Sequence, residues 1–257
     1  HFKPQSRFLS LQYDQNMGEI SGFTNETAYG STVNLTASAD ENYTFVNWEL
    51  IKETTFYVIK APSSIYSSKT KLFINNEESP ELSLLRGHTY HFDCNLSSGD
   101  GFYLSTSPDG DSSDSYYLSG VSGHLNSSGT FTFQVPLDAP DTLYYQSSEK
   151  NYSGNRIHIS SIEDSSLLPS PTNPVFSNRI THHFGLRANF ERTRHALSLT
   201  TTGQGIINHT NQDVYFWGDE IELSAIPDDH WYFSHWEGSS YLESTTSQET
   251  TLKIAED

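Results

Sequence analysis

The sequence predicts an all-β protein, and three observations predict it. Ser, Thr, Asn, Tyr and Phe are abundant while Lys, Met and Cys are scarce, a composition that favours strands and turns over helices. Apolar residues recur at period two in short runs separated by turn residues. No amphipathic helical pattern runs beyond a turn or two. The 257 residues suffice for one large β domain or two to three small ones. Charge is one-sided, with 14 basic against 32 acidic residues and a net charge of -18. Such a surface repels nucleic acid and anionic lipid, so neither is an expected partner. No apolar run reaches membrane-spanning length, so membrane insertion is not expected either. The single cysteine, Cys94, rules out an intrachain disulfide. With Tyr90 and Phe92 it shares one face of a strand, which predicts a small buried core residue.

The first element to justify is a repeat. Residues 7–50 align without a gap on residues 195–238. Leu9, Ser10 and Leu11 fall on Leu197, Ser198 and Leu199. Gly30, Leu35, Ala37, Asp40, Phe45 and Trp48 fall on Gly218, Leu223, Ala225, Asp228, Phe233 and Trp236. Such self-similarity means two copies of one structural unit. Each copy begins with a strand that ends near a Gly-containing turn. A polar stretch then leads to an aromatic and a glycine (Tyr29-Gly30; Trp217-Gly218). The next strand alternates, with Val33, Leu35 and Ala37 on one face and Ile221, Leu223 and Ala225 likewise. After an acidic turn come "YTFVNW" and "WYFSHW", where the Trp is expected to end a strand and plug a small core. The predicted core is Leu35, Phe45 and Trp48 in copy one and Leu223, Phe233 and Trp236 in copy two.

These spacings resemble the internalin-B-type B-repeat family, the bacterial repeat modules of surface proteins. Its pattern is a G-x-x-V-x-L-x-A strand, then Y-x-F-x-x-W, then a closing strand ending A-x-F. Copy one offers Gly30, Val33, Leu35, Ala37, Tyr43, Phe45 and Trp48; copy two offers Gly218, Ile221, Leu223, Ala225, Trp231, Phe233 and Trp236. The resemblance implies two small β-grasp-like modules without catalysis. The closing strand of copy one appears only at residues 173–190, where Leu186, Ala188 and Phe190 have the final form. Everything between is expected to be an insertion, which a loop with adjacent ends tolerates at low entropic cost. The expected organisation is residues 3–55, first part of module 1; 56–165, inserted domain; 166–192, closing strand of module 1; and 193–257, module 2. His1 and Phe2 look like the tail of a preceding closing strand. "TTLKIAED" stops before an L-x-A-x-F of its own, so module 2 is expected to lack its last strand. Two expectations follow: strand donation between subunits across an open edge, or a window of a longer repeat protein.

The middle segment reads as strand and turn throughout. "PELSLLRGHTYHFD", "FYLSTSPDG", "LSGV" and "VPLDAPDTLYY" together resemble a cupredoxin-like domain, a Greek-key β-sandwich. That resemblance implies copper held by two His, a Cys and a weak axial Met. The corresponding positions here are Asp100, Ser147, Lys150 and Ser153. Hydroxyls and an ammonium are poor copper ligands, so the scaffold is expected without its metal and without a cofactor.

Other candidate sites are sparse. In "PDGDSSDS", Asp109, Asp111 and Asp114 could hold calcium, although the glycine and the terminal glutamate of an EF-hand loop are missing. Histidines form no H-x-x-x-H pair, and His182-His183 would point to opposite faces of a strand. No G-x-S-x-G elbow, phosphate loop or H-E-x-x-H occurs. Tyr116, Tyr117, Tyr144 and Tyr145 could stack on sugars, with one of the last two expected in the core. The sequence therefore predicts a non-catalytic, extracellular structural segment of a bacterial adhesin, stalk or fibre. Its expected partners are other copies of itself or neighbouring repeats. The alternatives are a module that binds surface glycans or proteins, and a redox domain with an unrecognised metal.

Overall fold

The computed structural model describes residues 6–66, 69–110, 113–149, 152–210 and 214–255; His1, Phe2, Asp111, Lys150 and the last two residues lie outside them. The protein is nearly all β. It divides into two compact units. One runs through Ser38 and from Phe45 to Asn189; the other holds Ala39–Thr44 and the chain from Phe190 onward.

The first unit opens with β1 (Ser6–Gln12), β2 (Gly18–Ser21), β3 (Glu26–Ala28), β4 (Thr32–Ala39) and β5 (Tyr43–Ile51). β4 alternates as its sequence requires: Val33, Leu35 and Ala37 are buried between exposed Thr32, Asn34 and Thr36. Trp48 is buried as expected but stands inside β5, which runs on to Ile51.

The chain then builds the middle segment. Its strands are β6 (Glu53–Pro62), β7 (Thr70–Ile74), β8 (Glu77–Glu78), β9 (Leu82–Leu85), β10 (Thr89–Asn95), β11 (Phe102–Ser105), β12 (Val121–Ser122), β13 (Ser128–Gln134), β14 (Thr142–Ser147) and β15 (Arg156–Ser160). They form two sheets, ordered β12-β13-β10-β6-β7-β8 and β11-β14-β15-β9. Both sheets bury apolar faces in one core that includes Phe56, Tyr90, Phe92, Phe102, Phe131 and Tyr145. This is a β-sandwich. The Asn75-Asn76 turn between β7 and β8 has positive φ at both residues, 49° and 68°, the twist that a two-residue hairpin needs.

After a one-turn helix, α1 (Asp164–Leu167), the chain returns as β16 (Val175–Arg179) and β17 (Phe184–Arg192). The expected single closing strand is therefore two strands in two sheets. β16 runs antiparallel to β4, with Phe176 opposite Leu35. Ile180 ends that ladder through bonds with Gly30 and Ser31, and His183 N–H donates to Ser83 O, which carries the chain out of the β4 sheet. β17 then lies between β1 and β5, parallel to β1, with Leu186 and Ala188 buried.

The second unit contains β18 (Arg194–His195), β19 (Gly205–His209), β20 (Tyr215–Phe216), β21 (Glu220–Pro227) and β22 (Glu249–Lys253). It repeats two parts of the first copy in register, the β3-β1 pairing and the β16-β4-β2 sheet. The pairs Ser6↔Ala28 and Arg7↔Thr27 recur as Arg194↔Phe216 and His195↔Tyr215. Sheet β16-β4-β2 recurs as β22-β21-β19. Leu35↔Phe176 recurs as Leu223↔Thr250, and Gly30 N–H→Ile180 O as Gly218 N–H→Ile254 O, 2.7 Å in both. Gly30 and Gly218 have φ of 76° and 85°, a left-handed turn that favours glycine at the start of each central strand.

The tryptophans repeat too. Trp48 N–H bonds Pro171 O and its indole Nε1–H bonds Asn173 O; Trp236 N–H bonds Thr245 O and its Nε1–H bonds Ser247 O. The chain reaches Thr245 from Trp236 by a short loop, whereas the whole sandwich separates Trp48 from Pro171.

Two expected strands of copy two are not formed. Residues 196–200 and 231–237 carry no ladder. Their copy-one counterparts, β1 and β5, both pair with β17, and unit 2 has no counterpart of β17 among the described residues. Without a partner strand, an extended segment does not become a ladder.

Candidate functional site

Strand phase carries a lysine into the sandwich. In β6, Thr54, Phe56 and Val58 point inward, so Lys60 does too, and its side chain is 7% exposed. The opposite sheet answers with Asp100, which leads into β11, and Ser147, which ends β14; Phe102 and Ser147 pair directly. The Asp100 side chain is 0% exposed. Lys60 Nζ lies 2.6 Å from Asp100 Oδ2, 2.9 Å from Ser147 Oγ and 3.0 Å from Glu149 Oε2. Asp100 Oδ1 faces four donors: Ser147 Oγ at 2.5 Å, Gly101 N–H at 2.9 Å, Glu149 N–H at 3.1 Å and Ser148 Oγ at 3.3 Å.

Burial alone would push the Asp100 carboxyl up. Hydrogen bonds from Lys60, Ser147 and the Glu149 N–H outweigh it and hold the carboxyl below its usual range. A charge this deep stays only because it is paired and hydrogen-bonded.

Three of the positions expected to have lost copper ligands meet here. Ser147 N–H donates to Ser153 Oγ at 2.8 Å, and Asp100, Ser147 and Ser153 are all buried. Lys150 lies outside the described residues. The donors do not fit copper: they are hydroxyls and a carboxylate, with the Lys60 ammonium seated among them. Sequence reading missed Lys60, although its phase behind Thr54, Phe56 and Val58 was the signal.

The loop of the calcium candidates is described only in part. Asp109 accepts a hydrogen bond from Ser107, Asp114 is exposed in a 3-10 turn, and Asp111 lies outside the described residues. Among the described residues, no three His, Cys, Asp or Glu side chains form a group that could hold a metal. Of the expected module cores, Leu35, Trp48 and Leu223 are buried, while Phe45, Phe233 and Trp236 are half-buried. Phe45–Trp48 and Phe233–Trp236 make matching ring pairs at 5.5 Å and 5.3 Å. Of the tyrosines offered for sugar stacking, Tyr144 is half-buried and the other three make packing contacts. Tyr145 is fully buried, Tyr116 packs on Tyr103 and His124, and Tyr117 meets Phe133 edge-on.

A histidine joins module and sandwich within the first unit. His183 is buried, stacks on Phe8 at 5.4 Å and meets Phe56 edge-on at 5.3 Å. Its Nδ1 accepts the Phe8 N–H at 3.0 Å, which places the proton of the neutral ring on Nε2. Its carbonyl accepts from Tyr90 Oη at 3.1 Å. Burial, with Arg7 and His182 nearby, holds its pKa well below the ordinary value. Beside this junction a cleft of about 670 Å³ is lined by Phe23, Asn25, Glu26, Tyr57, Asn75 and Glu77, among others. Thr54 Oγ1 and Glu77 Oε2, both on lining residues, are buried without a hydrogen-bond partner among the described residues.

A search of the curated proteins and of the solved structures found no match. A family model, the divergent InlB B-repeat domain, matches residues 10–76 and 195–257. The first match runs over β6 and β7, which pair inside the sandwich; β16, which closes this copy, lies beyond it. The two matches fall on both copies of the repeat and together span half of the chain, and the protein belongs to the divergent InlB B-repeat domain family.

Proposed function

We propose that this chain is a structural segment of an adhesin, stalk or fibre on a bacterial surface, acting by β-domain packing and strand pairing. The family points to a repeat module of an extracellular bacterial surface protein and is generally non-catalytic. One observation carries the reading: both copies form the same central sheet and the same Trp bonds, although one holds an entire sandwich. A module that works as a self-contained packing unit has that outcome. The inserted sandwich is, on this proposal, a cupredoxin-like domain that keeps the scaffold and has exchanged its metal for the Lys60–Asp100 pair. Neighbouring repeats or further copies are the partners.

Antibodies raised against the chain should label intact producing cells. Labelling only after lysis would sink the surface reading. Metal analysis of native material should find no stoichiometric copper, and one copper per chain would overturn the account of the sandwich.

The cleft favours a second reading, a glycan-binding module. Tyr57 is 65% exposed at its rim, and amide, carboxylate and hydroxyl groups lie around it. A glycan array that returns hits lost in Tyr57→Ala would establish it.

A further inference from the structure

We infer that Lys60 and Asp100 condense into an intramolecular amide, a covalent bond between the two sheets of the sandwich. This rests on the cluster alone and does not depend on where the protein resides. Lys60, near the end of β6, and Asp100, in the segment that leads into β11, are both shut off from water, and the 2.6 Å between Nζ and Oδ2 holds the amine beside the carboxyl carbon that an acyl transfer otherwise has to find.

The two Asp100 oxygens have different surroundings, and the difference assigns their roles. Oδ1 is ringed by two backbone N–H groups and two serine hydroxyls. It is placed to carry the negative charge of a tetrahedral intermediate. Oδ2 meets Lys60. It is the oxygen that leaves. Glu149, 3.0 Å from Nζ and half exposed, can take a proton from the ammonium and return it to Oδ2.

The step balances without an added reagent. The Nζ lone pair forms a bond to Asp100 Cγ, and the Cγ–Oδ2 bond breaks. Two of the three ammonium protons leave with Oδ2 as water, one of them relayed by Glu149. The product is a neutral secondary amide. Nothing is oxidised or reduced. The buried charge pair, costly to desolvate, is thereby removed.

Asp100 rather than Glu149 is the acyl donor. Asp100 has the ring of donors and no exposure, whereas the Glu149 side chain is 48% exposed and can move away. Water would compete there.

The test is the intact mass of the purified, folded full chain, followed by peptide mapping. The expected mass is lower than the sequence requires by one water, with the Lys60 and Asp100 peptides recovered as one branched species. Lys60→Arg keeps the charge and should show the full mass. Glu149→Gln should form the bond about 100-fold more slowly or worse. A full mass for wild-type chain that melts cooperatively would overturn the inference, whatever the variants do. So would a lost water mapped to Glu149 or to any pair other than Lys60 and Asp100.

Discussion

The Phe8 backbone N–H is buried and needs an acceptor, and His183 Nδ1 serves only while it is unprotonated. The folded state therefore holds His183 neutral. His182 and His88 are also lowered by burial, reinforced by nearby positive charge, and His124 by burial alone. A histidine lowered in the folded state binds its proton more readily when unfolded, so stability rises with pH through that window. It is complete above the unfolded histidine value of about 6.5 and is lost as pH falls below it. Melting followed at pH 7.5 and at pH 5 should show a clearly lower Tm at pH 5, and an unchanged Tm would contradict the assignment. Cys94 behaves in the opposite chemical sense. Burial pushes its thiol up to about 12, so it should resist alkylation at pH 8 in the folded chain and react fully after denaturation.

At the scale of the element, the two copies form a matched experiment. Trp48, within β5, is 1% exposed and bonded to the returning chain; Trp236 makes the equivalent bonds but is only half-buried. Trp48→Ala should cost about 3–5 kcal/mol and Trp236→Ala about half as much, read from urea unfolding. Equal costs would mean that the two sites are packed alike. The same comparison shows what sequence can and cannot report. Val33, Leu35 and Ala37 announce a half-buried strand by period alone, and Gly30 announces its turn. The segment "WYFSHW" carries the same local signal as "YTFVNW" yet forms no strand, because a ladder needs a neighbour and that information is not local. The parallel seat of β17 beside β1 is equally invisible, since it joins segments far apart in the chain. In the candidate site, Asp100, Ser147 and Ser153 were legible through their positions in a resembled motif. Lys60 was not, because no motif marks it; only its phase in a strand of known orientation does. The cleft was hidden for a similar reason, being assembled from β1 to β3 on one side and β6 to β8 on the other.

For the molecule as a whole, the insertion is tied into its host unit. Phe8 shares the sandwich core, and His183 bonds both Phe8 and Tyr90. Replacing the sandwich with the short loop that follows Trp236 should still allow β16 to pair with β4. It should also lower the Tm, because Phe8 and His183 lose Phe56 and Tyr90; far-UV dichroism and a thermal melt would check both points. A variant as stable as the parent would show that the sandwich is merely carried. The parallel seat of β17 has a further consequence, in time rather than in space. Leu9 finds its partner Phe184 only after the whole sandwich has been synthesised. The strands from Glu53 to Ser160 can meet one another first, whereas β1 must wait for a contact that spans most of the chain. During that interval Leu9 and Trp48 in one sheet and Leu35 in another belong to half-built sheets whose apolar faces are open. The repeat that holds the sandwich is thus the last part of its unit to fold, and the nascent chain is most vulnerable to misassembly between the emergence of β15 and the arrival of β17.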